Sequence, residues 1–113
     1  MPIMSDNTCK EIYRDRVLPR TAILLSKIGY RDRNNIVHIP TLYEAQMFLL
    51  DVHWRYVDIV TDHQSLWGFR VRYPMGCSYE SSKSYRSYSE ALSDGIHCAA
   101  KLLWDVMKLN MGG

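Results

Sequence analysis

From Thr41 onward, apolar residues recur at helical spacing. Leu42, Ala45, Leu49 and Val52 stand three or four apart, with Phe48 widening the stripe, and this predicts a helix over 41–53 with one flank turned to a core. Thr41 and Glu44, three apart at its start, have the spacing of a capping box, in which each side chain satisfies the other residue's free backbone N–H. A second stripe, Leu92, Ile96, Ala99, Leu103 and Val106, has Leu102 and Trp104 at its margins. It follows Ser87 and Glu90 at the same capping distance and predicts a helix ending near Lys108. Gly95 inside this helix costs about 1 kcal/mol against alanine, and its missing side chain lets the helix approach a sheet closely. Between the two helices the apolar period changes from about 3.6 residues to 2. Tyr56–Thr61 is rich in β-branched residues and reads as a strand. Leu66–Tyr73 alternates: Trp67, Phe69, Val71 and Tyr73 face one way, and Gly68, Arg70 and Arg72 the other. Cys77–Glu80 is a weaker third strand, and the polar run 81–86 reads as loop. Asp62–Ser65 and Pro74–Gly76 supply the turns.

Ahead of this core the pattern is looser. Residues 1–7 read as a disordered tail, and Thr8 and Glu11 form a further capping box that predicts a short helix to about Leu18. Pro19 interrupts it or starts the next element. Thr21–Ile28 predicts another short helix, with Gly29 where a left-handed residue would close it. A polar loop over 30–35 and a short strand over 36–39, ended by Pro40, complete this part. The expectation is one α+β domain over 8–113, with a helical segment and loop over 8–40 and a core over 41–108. The core order is α-β-β-β-α: a small antiparallel sheet covered on one face by two helices.

Composition narrows the class without naming a task. The 113 residues are 47% hydrophobic and 23% charged, the balance of a single globular domain. The net charge of +2 is too small to imply nucleic acid by itself. Residues 1–40 nevertheless hold seven basic and four acidic side chains, so any affinity for polyanions leans on the N-terminal third. Cys9, Cys77 and Cys98 are odd in number and form no CxxC, which fits unpaired thiols in a reducing compartment, with Cys98 a small apolar side chain among apolar neighbours. Apolar runs reach only four residues, as at Ala22–Leu25, so neither a secretory signal nor a membrane span is expected, and the expected location is the cytoplasm.

Three ordered segments resemble a known pattern. Thr21–Tyr30 resembles an A-x-x-L-K-x-x-G-F/Y opening. Ile39-Pro40-Thr41, Glu44-Ala45 and Phe48-Leu49 resemble I-P-T-x-x-E-A-x-x-W-L. Tyr85 to Leu92 resembles Y-x-S-Y-x-E-A-L. Over about residues 17–108 the chain is similar to a group of small proteins, without an assigned activity, encoded by phages and mobile elements of gut bacteria. Phe48 stands where that pattern has Trp, and the N-terminal extension lies outside it. The resemblance implies caps and core stripes and carries over no functional residue.

Chemistry-bearing constellations are sparse. His38, His53, His63 and His97 include no pair at i, i+4 with another His or Cys. Asp62-His63 has the composition of a turn, and His53 at a helix end suits the dipole there. Neither a nucleophile elbow nor a glycine-rich phosphate loop occurs. No catalytic residue, cofactor or metal is expected, and the chain does not read as an enzyme. The aromatic content stands out, with eight Tyr and three Trp. Tyr56, Tyr79 and Tyr85, with Tyr88, are candidates for exposed rings beside Arg70 and Arg72. Tyr, Trp and Arg anchor protein interfaces, and rings interleaved with Arg stack single-stranded bases. The reading is a non-catalytic protein-interaction or self-associating module, a homo-oligomer that covers its sheet edges. The alternative is an accessory nucleic-acid-binding protein of a phage or mobile element. The element order matches double-stranded RNA-binding domains, which place basic residues at the start of the second helix. Glu90 and Asp94 occupy that place here.

Overall fold

The computed structural model describes residues 15–31, 39–61, 66–74, 76 and 78–112. Its elements are α1 (Pro19–Lys27), α2 (Leu42–His53), β1 (Tyr56–Thr61), β2 (Trp67–Arg72), β3 (Ser78–Glu80) and α3 (Tyr88–Gly112). The strands form one antiparallel sheet in the order β1-β2-β3, an α+β architecture with the helices packed on it. The predicted turn over 62–65, the strand residues 36–38, and Thr8, Cys9 and Cys77 lie outside the described residues.

The register follows from the alternating pattern. Val57 stands opposite Val71 and Ile59 opposite Phe69, which puts the apolar residues of both strands on the helix-covered face. α3 lies across β1 and β2, and α2 lies beside β1 and α3. Gly95 is the point of closest approach: a Cβ there would stand 2.7 Å from Val57 Cγ1 and 3.0 Å from Phe69 Cβ. The glycine therefore lets α3 rest on the sheet, as its place in the apolar stripe suggested. Leu92, Ile96, Ala99 and Leu103 are buried, but Val106 is 51% exposed. Val106 lies eleven residues, about 16 Å, beyond Gly95 along the helix, where α3 has outrun the sheet. Val52 is likewise 57% exposed. In the last turn of α2 the inward position passes to His53, whose Nε2–H donates to the Ile28 carbonyl at 2.7 Å and whose ring meets Phe48 edge-on.

The N-terminal part joins the same core. Val17, Leu25 and Ile28 are buried with Leu42 and Leu49. The helix predicted to reach Leu18 does not: residues 8–14 lie outside the described set, Arg16 pairs with Thr41 in an antiparallel bridge, and Asp15–Leu18 are not helical. The Val17 N–H donates to the Pro40 carbonyl at 3.0 Å, and the Leu42 N–H to the Asp15 carbonyl at 2.7 Å. Pro19 disfavours a helical conformation for the residue before it; Leu18 is extended, and Pro19 opens α1. Ile39 belongs to no strand, and its carbonyl accepts from Arg16 Nη1 at 2.7 Å.

Candidate functional site

The five residues singled out for an interaction surface divide between the two faces of the sheet. Tyr56 stands opposite Arg72, and Arg70 opposite both Asp58 and Glu80, so Tyr56, Arg70 and Arg72 share the face away from the helices. Asp58 joins the two arginines: its Oδ2 lies 2.8 Å from Arg70 Nη2 and 3.4 Å from Arg72 Nη2. Two cations thus meet two carboxylates, Asp58 and Glu80, and this face has little net charge to offer a polyanion.

Tyr79 and Tyr85 are not part of that face. Tyr79 pairs with Val71 on the helix-covered side, with its ring 6.1 Å from that of Phe69. Tyr85 exchanges both backbone hydrogen bonds with Trp67, at 2.8 and 2.9 Å, and its ring packs 6.0 Å from Phe69. Between these pairings residues 82–84 loop outward, which the sequence pattern could not resolve. Gly68 makes room for the loop, since a Cβ there would lie 3.0 Å from the Ser82 carbonyl oxygen. Burial, with the Asp94 carboxylate accepting from its hydroxyl, pushes the Tyr85 pKa up to about 12. Tyr88 is half exposed and meets Trp67 edge-on at 5.8 Å. The expected cluster of tyrosines beside Arg70 and Arg72 therefore reduces to Tyr56.

The titratable groups of α3 do structural work. His97 Nδ1 and the fully buried Thr21 hydroxyl share a hydrogen bond of 2.8 Å that ties α3 to α1. Burial, reinforced by Arg20 and Lys101, holds the His97 pKa below its ordinary value despite Asp94 nearby. Cys98 is partly buried against the core, and burial and the charge of Asp94 push its thiol pKa up. That is the opposite of what a nucleophilic cysteine requires. Among the described residues no three His, Cys, Asp or Glu are grouped to hold a metal ion, and no helix is long and apolar enough to cross a membrane.

A different surface stands out, one the sequence reading did not assemble. Tyr43, Gln46 and Leu50 are three and four apart on α2, on the flank beside its core stripe, and Trp54 follows at the next interval. Gln46 fixes the orientation of this flank: its Nε2 donates to the Val57 carbonyl of edge strand β1 at 2.9 Å. Tyr43 is 70% exposed, Trp54 71% exposed, and Leu50 is exposed between them. Trp54 also holds a left-handed conformation, φ 59 and ψ 35, the one positive φ at a non-glycine among the described residues. Its N–H donates to the Leu50 carbonyl at 3.1 Å, and the Arg55 N–H to that of Leu49 at 2.9 Å, so the turn closes α2. Glycine is the usual residue for such a turn, and a side chain there costs about 1–2 kcal/mol. The available signal was Tyr43, Leu50 and Trp54 at helical spacing outside the core stripe, but spacing cannot tell a flank covered by another element from one left bare. Scans against protein families, curated proteins and solved structures find no match to this chain.

Proposed function

We propose that this chain is a non-catalytic protein-interaction module that self-associates through the Tyr43–Leu50–Trp54 flank of α2. The observation that carries the reading is Trp54: a large ring, mostly in solvent, held in a backbone conformation that disfavours it. Backbone strain persists where surrounding structure enforces it, and it clusters at functional positions. A bare aromatic ring beside Leu50 and Tyr43 is the composition of an interface anchor. Sheet edges carry less of the argument than the sequence suggested. Gln46 occupies the Val57 carbonyl on the β1 edge, and β3 is only three residues long. The nucleic-acid alternative finds less support, because Arg70 and Arg72 are both engaged by Asp58.

Light scattering across a concentration series tests the proposal. The wild type should exceed its monomer mass of 13.2 kDa as concentration rises. Trp54→Gly, which removes the ring and relaxes the left-handed turn, should remain a folded monomer. A wild type that stays monomeric throughout, or a Trp54→Gly variant that associates equally well, removes this reading.

A further inference from the structure

The partner of the Trp54 flank can be read from charge. Around Tyr43, Leu50 and Trp54 the exposed ionic residues of α2 are Glu44 and Asp51, both acidic, and the cation next to Trp54, the partly buried Arg55, is engaged by the His53 carbonyl and the Tyr73 ring. On another part of the molecule, α1 and α3 present a ridge of the opposite sign. Arg20 and Lys27 are exposed on α1, and Ile23, three residues from one and four from the other, is 58% exposed between them. Lys101 and Lys108 on α3 share one carboxylate, Asp105, at 2.9 and 3.6 Å. The Nζ atoms of Lys27 and Lys108 lie 5.6 and 5.9 Å from the centre of the Trp104 ring, which gathers both helices' cations on one strip. Four cations against two carboxylates, Asp105 and the Asp94 near His97, leave this ridge positive, with Ile23 an exposed apolar side chain among them.

We infer that the occupant of the acidic aromatic flank is the basic ridge of a second copy of this chain, with Trp54 and Leu50 against Ile23 and Asp51 facing the Arg20–Lys27 pair. This inference rests on the self-association reading and adds the surface that receives it. The two surfaces differ, so after one contact the pair of copies keeps one free flank and one free ridge, and assembly continues unless it closes, the smallest closed form being a two-fold dimer that makes both contacts. The charge component makes association weaken as salt rises.

A complementation experiment by sedimentation velocity tests it. Trp54→Gly disables the flank and leaves the ridge; Ile23→Glu disables the ridge at an exposed position and leaves the flank. Each variant alone should lose association by at least about tenfold, the scale of a hot-spot residue. Mixed in equal amounts they should form a species of two chains and no larger, because only one competent flank and one competent ridge remain. The same mixture controls for folding, since a misfolded variant rescues nothing while circular dichroism reports its loss of helix. If the wild type associates but the mixture stays monomeric, or if Ile23→Glu associates like the wild type, the ridge is not the partner, while the flank reading stands if Trp54→Gly alone has lost association and falls if it has not. If the wild type is monomeric at every concentration, both readings fail. If a short single-stranded oligonucleotide binds the monomeric wild type and Lys27→Glu abolishes that binding, the ridge serves nucleic acid and the inference is overturned.

Discussion

α1 and α2 are both followed by a left-handed residue, and the two residues differ. Behind α1 stands Gly29, at φ 110, with open space where a side chain would be. Behind α2 stands Trp54, at φ 59, with its ring in water. The first is what folding alone selects, because glycine adopts this conformation without a steric penalty. The second works against folding twice, through the backbone and through exposed apolar area. The contrast extends to the regions around them. On the helix-covered face of the sheet, Val57, Phe69 and Val71 are buried against a helix whose Gly95 is shaped to meet them. On the outer flank of α2, Tyr43 and Trp54 stand mostly in solvent and Leu50 is partly exposed between them. A position governed by packing and one governed by contact outside the fold can thus be separated by asking whether the observed residue is the one stability would choose.

The most severe way to break this comparison is to truncate one ring in each region. Phe69→Ala should cost about 3–5 kcal/mol, the usual range for a buried phenylalanine, read as a shift in the urea midpoint. Trp54→Ala, although it removes a larger ring, should cost less than about 1 kcal/mol, as exposed positions do; equal losses at the two sites would erase the distinction. Next in size is Gly95→Ala. Overpacking against Val57 and Phe69 costs typically 1–3 kcal/mol, offset by about 1 kcal/mol of helix propensity, so a net destabilisation of about 1–2 kcal/mol is expected in thermal unfolding. A gain in melting temperature would show that α3 does not rest on the sheet at this point. Exchanging the two helix ends sharpens the contrast further. Gly29→Ala should destabilise by about 1 kcal/mol, and Trp54→Gly should stabilise the monomer by up to about 1 kcal/mol.

The smallest expected effect is on pH dependence. The fold holds the His97 pKa below its ordinary value of 6.5, so on acidification the unfolded chain takes up a proton before the folded one does. Stability should therefore be fully present above pH 6.5, decline as pH falls toward the folded-state value, and level off below it. His97→Asn, which retains a polar partner for Thr21, should flatten that part of a urea-midpoint profile; an unchanged profile would place the titration elsewhere.

Much of the fold was legible because it depends on local periodicity. The alternation from Trp67 to Tyr73 placed β2 and its inward face, and the Thr41–Glu44 box placed the start of α2, with reciprocal hydrogen bonds of 3.0 Å. The stripe Leu92–Leu103 and Gly95 within it predicted how α3 meets the sheet. Local pattern could not say where each helix outruns its neighbours, which is why Val52 and Val106 were expected inside. It also could not fix the register of β3 on β2, or carry side-chain parity across the looped-out residues 82–84, which is why Tyr79 and Tyr85 were expected beside the arginines. The basic character of the N-terminal third was visible as a count, but its assembly with Lys101 and Lys108 was not.

By itself the amino-acid sequence determined the identity and order of the core elements from α2 to α3 and most of the residues that each turns inward, because spacing along one chain segment decides how that segment divides apolar from polar. Tertiary structure alone decided which apolar residues are left uncovered and which charges are gathered together. Both depend on where separate helices end relative to one another, and no single segment encodes that distance.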